Sequence, residues 1–273
     1  MNELAKRILF AIPAAAFFIW MNWLGEWFFA VTIILISYQV VHEIIRLMER
    51  MGMDSNILFP YSIALWILLS PYMSYSFEIG LVIFLLFIAL QTIDTSERSL
   101  KELVTTIFAG IYGSLGFLCL LLIRDLFLNE QGFLLVLILM FMVWGNDVFA
   151  YFGGKTFGKH PLAPSISPNK TWEGFFSGFL GAGIGLLLIV YTVPIAAPFD
   201  LVLFAPLIFI VSTFGPIGDL MESKLKRAAG VKDSSSLLPG HGGFFDRFDA
   251  LLLAAPSMYA YLRLLDVLGY VSF

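Results

Sequence analysis

Nine runs of apolar residues, each near the length that crosses a bilayer, divide this chain at 8–24, 27–46, 57–75, 77–93, 103–123, 133–152, 173–195, 202–221 and 249–270. Water cannot reach a bare peptide group in the hydrocarbon core, so a segment of about 20 residues crosses it as a helix. The rest of the composition agrees, with 59% hydrophobic and 13% charged residues. Soluble domains carry about 25% charged residues. The expected fold class is all-α: a polytopic integral membrane protein of about nine transmembrane helices, with no soluble domain between them. The first run is too long, and too directly followed by another, for a cleaved signal peptide, and is read as a retained first span. Cys119 is the single cysteine and lies inside an apolar run, which excludes disulfide frameworks and cysteine-rich zinc sites. It reads as a small buried hydrophobe.

The basic residues orient the bundle. With the N-terminus inside, Lys6, Arg7, Arg46, Arg50, Arg98, Lys101, Lys155, Lys159, Lys170, Lys224, Lys226, Arg227, Lys232 and Arg247 face the cytoplasm. Only Arg124 and Arg263 fall on or near the outside. This asymmetry matches the positive-inside rule and puts the C-terminus outside. The organisation expected is one integrated membrane domain in two parts. Residues 1–130 are membrane helices to which the sequence assigns no role, and 131–273 carry two long cytoplasmic loops, 153–172 and 222–248.

On that topology the polar residues converge. Asn146 and Asp147 sit near the inner end of the sixth run, and Asp219 near the inner end of the eighth. Asp246 and Asp249 open the ninth. Ionisable groups near membrane depth are costly and are functional candidates by default. Asp246 and Asp249 could simply favour a helix N-terminus. Asp147 and Asp219 are read as lying at helix C-terminal ends, where the dipole opposes them and a cation would compensate. Carboxylates without cysteine suit Mg²⁺, or Mn²⁺, and leave room for a second cation.

The stretch KDSSSLLPGHGGFFDRFDA, residues 232–250, adds a phosphate-like site. Gly240, Gly242 and Gly243 flank His241, leaving the backbone free for a close approach. Amides leading into a helix start bind anions. Lys224, Lys226, Arg227, Lys232 and Arg247 supply countercharge for a polyphosphate. Taken alone, Gly-His-Gly-Gly reads as an ordinary turn. Gly153-Gly154-Lys155-Thr156 is rejected as a P-loop, because Phe149 stands where a glycine is required and a membrane helix precedes it. Gly174, Gly178, Gly181 and Gly185 recur at helical spacing and allow close packing, within one subunit or, as the second choice, in a homodimer. His42 and His160 read as structural.

Ser223-Lys224-Leu225-Lys226-Arg227, Lys232-Asp233 and Leu238-Pro239-Gly240-His241-Gly242-Gly243-Phe244-Phe245-Asp246-Arg247-Phe248-Asp249 together resemble the signature of the phosphatidate cytidylyltransferases, the CDP-diacylglycerol synthases. Asp147 to Tyr151 and Ser167 to Gly174 are similar as well, with Asn169 where that family more often has lysine, while Lys170 remains. The resemblance covers about the last half of the chain. It implies CTP and phosphatidic acid as substrates, the lipid bilayer as partner, no nucleic acid, and a Mg²⁺-dependent cytidylyl transfer for phospholipid biosynthesis. It places the active site on the cytoplasmic side of the cell (inner) membrane. The catalytic candidates are Asp219, Asp246, Lys226, Arg227 and His241. Ser223, Lys170, Lys232, Gly242, Gly243, Arg247 and Asn146 are candidates for binding CTP or the lipid phosphate. Asp219 and Asp246 are the first choice of metal ligands, with Asp249 and Asp147 as further ones. Two rivals stay open: a CTP-dependent kinase acting on an alcohol with His241 as base, and a transporter relaying ions through its acids. Transporter sites tend to lie at the midplane of repeated halves, and neither feature is visible here.

Overall fold

Every apolar run forms a helix, and the breaks fall where the chain offers Gly25, Gly52, Pro71 or Asp94. The computed structural model describes residues 3–56, 58–126, 130–193, 199–238 and 240–271. Ile57, Pro194, Ile195 and Pro239, which belong to the runs and motif above, lie outside them. In order, the helices are α1 (Glu3–Leu24), α2 (Glu26–Arg50), α3 (Leu58–Leu69), α4 (Ser76–Ile93), α5 (Glu97–Asp125) and α6 (Glu130–Phe157). They continue with α7 (Trp172–Thr192), a short α8 (Leu201–Phe204), α9 (Pro206–Ala228), a short α10 (Phe245–Phe248) and α11 (Leu251–Val267). Among the described residues, seven helical segments are long and apolar enough to cross a membrane. The other two expected spans are shorter apolar helices, Ala11–Leu24 and Leu58–Tyr72. In the second of these, Pro71 falls in a single 3-10 turn, Ser70–Tyr72, that ends α3.

The core follows from which helices bury a face on both sides. α5 packs against α2, α3 and α11, and α9 lies between α7 and α11. By contrast, α4 buries only Gly80 and Phe87 and leaves Phe77, Val82, Leu85 and Leu90 exposed, as a lipid-facing flank does. Cys119 is buried in the core, as expected.

The glycine stripe of α7 is used inside the subunit. A Cβ on Gly174 would stand 2.7 Å from the Ala150 carbonyl oxygen of α6, and Gly181 and Gly185 meet the Gly145 and Phe141 carbonyls still more closely. Backbone therefore lies on backbone along α6 and α7, and the stripe is occupied rather than free for a second copy. This contact fixes the height of Asn146 and Asp147 against the start of α7.

Both polar loops are shorter than the sequence suggested, because helix continues into them. α6 runs to Phe157, and the remainder folds as an antiparallel hairpin, β1 (Pro161–Ala163) with β2 (Ser167–Thr171), in the register Pro161 to Thr171. The side chain of Thr171 caps α7 by accepting from the Gly174 amide at 3.1 Å. α9 runs to Ala228 and stops at Gly230, φ +69°. Glu222, Ser223, Lys226 and Arg227 are thus helical, and the second loop proper is 229–244. Asp147 and Asp219 are not at helix C-terminal ends. About 15 Å of α6 and about 13 Å of α9 follow them. The helix dipole fades within the last turn, so it does not supply the repulsion expected there.

Candidate active site

Gly218 brings the site together. The carbonyl of Asp249 packs directly on it, closer than any side chain would allow, so α9 and the link between α10 and α11 approach backbone to backbone. Asp219, Glu222 and Asp249 then converge, with one carboxylate oxygen from each within 4.8 Å of the others. Asp147 on α6 and Lys170 on β2 stand within electrostatic range of both Asp219 and Asp249. The Lys170 ammonium pairs directly with Asp219 Oδ2, and the Ser223 hydroxyl lies 3.5 Å from Asp219 Oδ1.

Asp246 lives differently. Its Oδ1 accepts from Lys226 Nζ at 2.6 Å, and its Oδ2 from the amides of Gly243 at 2.7 Å and Ser234 at 2.9 Å. The Ser234 hydroxyl lies 2.7 Å from the same oxygen. With three donors of its own, the Ser234 hydroxyl shared with a second carboxylate, and a side chain 4% exposed, this carboxylate is saturated. Lys226 joins the two groups, since its ammonium also stands 2.7 Å from Glu222 Oε2. The other oxygen of Glu222, Oε1, is buried without a hydrogen-bond partner among the described residues. An orphaned carboxylate oxygen inside a set of acids is an unmet demand for a cation or a proton.

The loop between them is a tight turn. Leu238 N donates to Gly242 O and His241 N to Leu238 O, both at 2.9 Å. Gly240 and Gly242 hold φ of +74° and +80°, a region that a side chain makes costly. A Cβ on Gly242 would stand 2.6 Å from Asp246 Oδ2. Arg227, Lys232 and Arg247 are exposed around this turn, with Arg227 Nη1 donating to the Val231 carbonyl at 3.2 Å. Asn146 is 3% exposed and packs on Gly178, its Nδ2 without a hydrogen-bond partner among the described residues.

A cavity of about 550 Å³ opens beside Asp219, between α6, α7, the hairpin and α9. Asn146, Asp147, Lys155, Lys170, Phe175 and Asp219 line part of it. Its lining mixes charged and apolar residues, as ligand cavities do. A cavity of similar size, lined by Trp23, Trp27, Tyr72 and Arg124, lies at the opposite end of α6 and shares no residue with the acids.

Of the residues singled out in the sequence, Asp147, Lys170, Asp219, Ser223 and Asp249 form one polar group. Asp246, Gly242 and Gly243 form a second, and Lys226 belongs to both. Sequence reasoning passed over Glu222, Ser234 and Glu43, whose carboxylate reaches this loop from α2. Glu222 had a signal, because it stands one helical turn from Asp219. Glu43 had one too, as an acid inside an apolar run.

The molecule is thus a bundle of long apolar helices that carries an acid cluster beside a glycine turn. The cytidylyltransferase family model matches residues 5–265. A phosphatidate cytidylyltransferase of Bacillus subtilis (strain 168) is 33% identical over 97% of this chain and 99% of its own length. One of Brucella abortus biovar 1 is 35% identical over 100% and 99%. One of Aquifex aeolicus is 48% identical over 45% of each chain. The chain belongs to the cytidylyltransferase family.

Proposed function

We propose that this protein transfers the cytidylyl group of CTP to phosphatidic acid, giving CDP-diacylglycerol and pyrophosphate. The observation that carries the reading is the convergence of Asp219, Glu222 and Asp249 beside a glycine turn ringed by arginine and lysine. A phosphate oxygen of phosphatidic acid attacks the α-phosphorus of CTP. The new P–O bond forms as the bond to the β-phosphate oxygen breaks, and its electron pair leaves with pyrophosphate. The nucleophile is already an anion, so no general base is needed, and positioning with charge neutralisation supplies the rate.

Asp219, Glu222 and Asp249 fit a hard divalent cation, with Asp147 as a further donor. They offer only oxygen, they come from two helix segments held by Gly218, and one oxygen is orphaned. Bound there, Mg²⁺ or Mn²⁺ would neutralise charge developing on the phosphates. Lys226 is balanced by Glu222 and Asp246, so it ties the acid cluster to the loop. Asp246 shapes the turn. The exposed Arg227, Lys232 and Arg247 are left to meet the triphosphate, and Lys170, at the mouth of the cavity with Asn146, to meet the lipid phosphate. The basic-residue asymmetry supports a cytoplasmic site in the cell membrane.

Purified protein in detergent, given labelled CTP, phosphatidic acid and Mg²⁺, should release pyrophosphate in step with CDP-diacylglycerol and stop with EDTA. CDP as the stoichiometric co-product, in place of pyrophosphate, would sink the reading in favour of a kinase. For orientation, cysteines at the exposed Ser165 and Ser236, in a Cys119→Ser background, should resist impermeant reagents in intact cells. Labelling of either from outside would overturn the cytoplasmic placement.

A further inference from the structure

The reaction above takes nothing from the first half of the chain, yet α2 sends one carboxylate into the loop that carries the site. Glu43 is 1% exposed, among the buried apolar residues Val40, Val41, Ile44 and Ile45. Its Oε1 accepts from the Phe244 amide at 3.1 Å and the Ser235 hydroxyl at 2.9 Å. Its Oε2 accepts from the Phe245 amide at 2.8 Å and stands 2.7 Å from the Ser234 hydroxyl. These four groups lie in residues 234–245, some two hundred positions along the chain, and Gln39 Nε2 of α2 adds a longer contact to Oε1 at 3.4 Å. Gly243 packs against Oε2 too closely for any side chain to intervene.

Burying a carboxylate costs several kcal/mol unless its lone pairs are filled, and an apolar residue of similar volume often stabilises as well or better. What the carboxylate supplies that an apolar residue cannot is position. The two amides it holds follow Gly243, whose own N–H donates to Asp246, and the Ser234 hydroxyl stands between both carboxylates. The turn is therefore gripped from two sides, by Asp246 within the segment and by Glu43 from a helix of the other half.

We infer that Glu43 is a positioning residue for cytidylyl transfer: it fixes the 234–245 segment in the shape that receives the CTP phosphates, so the N-terminal helices help set the geometry of the active site. The inference rests on the assignment of this turn to CTP.

The test compares wild type, Glu43→Gln and Ser235→Ala, purified in detergent. It follows the CTP dependence of pyrophosphate release and amide hydrogen exchange over residues 233–246. Glutamine keeps the shape but only one acceptor oxygen, so whichever way it turns one backbone amide, of Phe244 or Phe245, loses its acceptor, while the neighbouring serine hydroxyl can turn to accept. The KM for CTP should rise about tenfold, the equivalent of one charge-assisted hydrogen bond. Exchange over 233–246 should accelerate. Ser235→Ala should move both readouts in the same direction by a smaller factor. A purely structural role would lower the folded yield, and with it the apparent kcat, while leaving the KM for CTP in place. An unchanged KM, with or without faster exchange, would overturn the inference. Were Glu43→Gln not to fold, an unchanged KM and exchange in Ser235→Ala would do the same. Wild type that releases no pyrophosphate from CTP and phosphatidic acid would instead sink the reading of the reaction, before any variant is compared.

Discussion

Two groups of acids sit side by side in this molecule and are built on opposite principles. Asp219, Glu222 and Asp249 crowd together with one cationic partner on Asp219, one on Glu222 and an oxygen left over. Asp246 and Glu43 each receive at least three donors, mostly from the 234–245 loop, share the one Ser234 hydroxyl between them, and are closed. The residue types are the same. The number of hydrogen-bond donors around each carboxylate decides its work, because a filled carboxylate holds the fold and an underfilled one attracts a ligand. On this view the metal belongs with Asp219 and Asp249, and Asp246 shapes the loop from beside it.

The sharpest way to break the comparison is to neutralise one acid from each group. Asp219→Asn and Asp249→Asn should each lower turnover by roughly 10³-fold, the scale of losing one electrostatic contact to the transition state. Melting temperature in detergent should barely move, since neither side chain is filled by the fold. A large drop in melting temperature without a matching loss of rate would merge the two groups into one structural network.

Asp246→Asn should behave in the reverse sense. Breaking a buried, filled ion pair costs about 3–5 kcal/mol, so thermal unfolding should come earlier, and the surviving activity should keep its Mg²⁺ requirement. If the folded variant instead needs far more Mg²⁺ for half-maximal rate, Asp246 is a ligand and the division fails.

Glu222→Gln sharpens the boundary. Glutamine can still face Lys226 but weakens the acid cluster, so turnover should fall by roughly 10²-fold with Mg²⁺ dependence displaced upward. Equal rates at all Mg²⁺ concentrations would move Glu222 into the closed group. The smallest effect is expected at His241, which lies on the turn. His241→Gln should raise the CTP requirement a few-fold while preserving the shape of the rate against pH. A lost limb of that profile, with a fall of about 10²–10⁴, would make it a general base.

Hydrophobic periodicity and length were enough for the sequence to determine the class of fold, because backbone groups in a bilayer have no alternative to the helix. The glycine turn was equally legible, since Gly240 and Gly242 sit where φ is positive and Asp246 leaves no room on Gly242. So was the pool of acids and bases, read from their cost inside apolar runs. Their partition was not legible. Lys170 meets Asp219 only because the glycine faces of α6 and α7 set the hairpin over α9, and Asp249 reaches Asp219 only across Gly218. Glu43 lies some two hundred residues from its donors, and nothing in a local pattern can say which distant amides will fill a carboxylate. The chain's own chemistry determined which groups would be present. Close packing of helix backbones, a property of the assembled bundle, decided which of them are saturated and which remain open to a ligand.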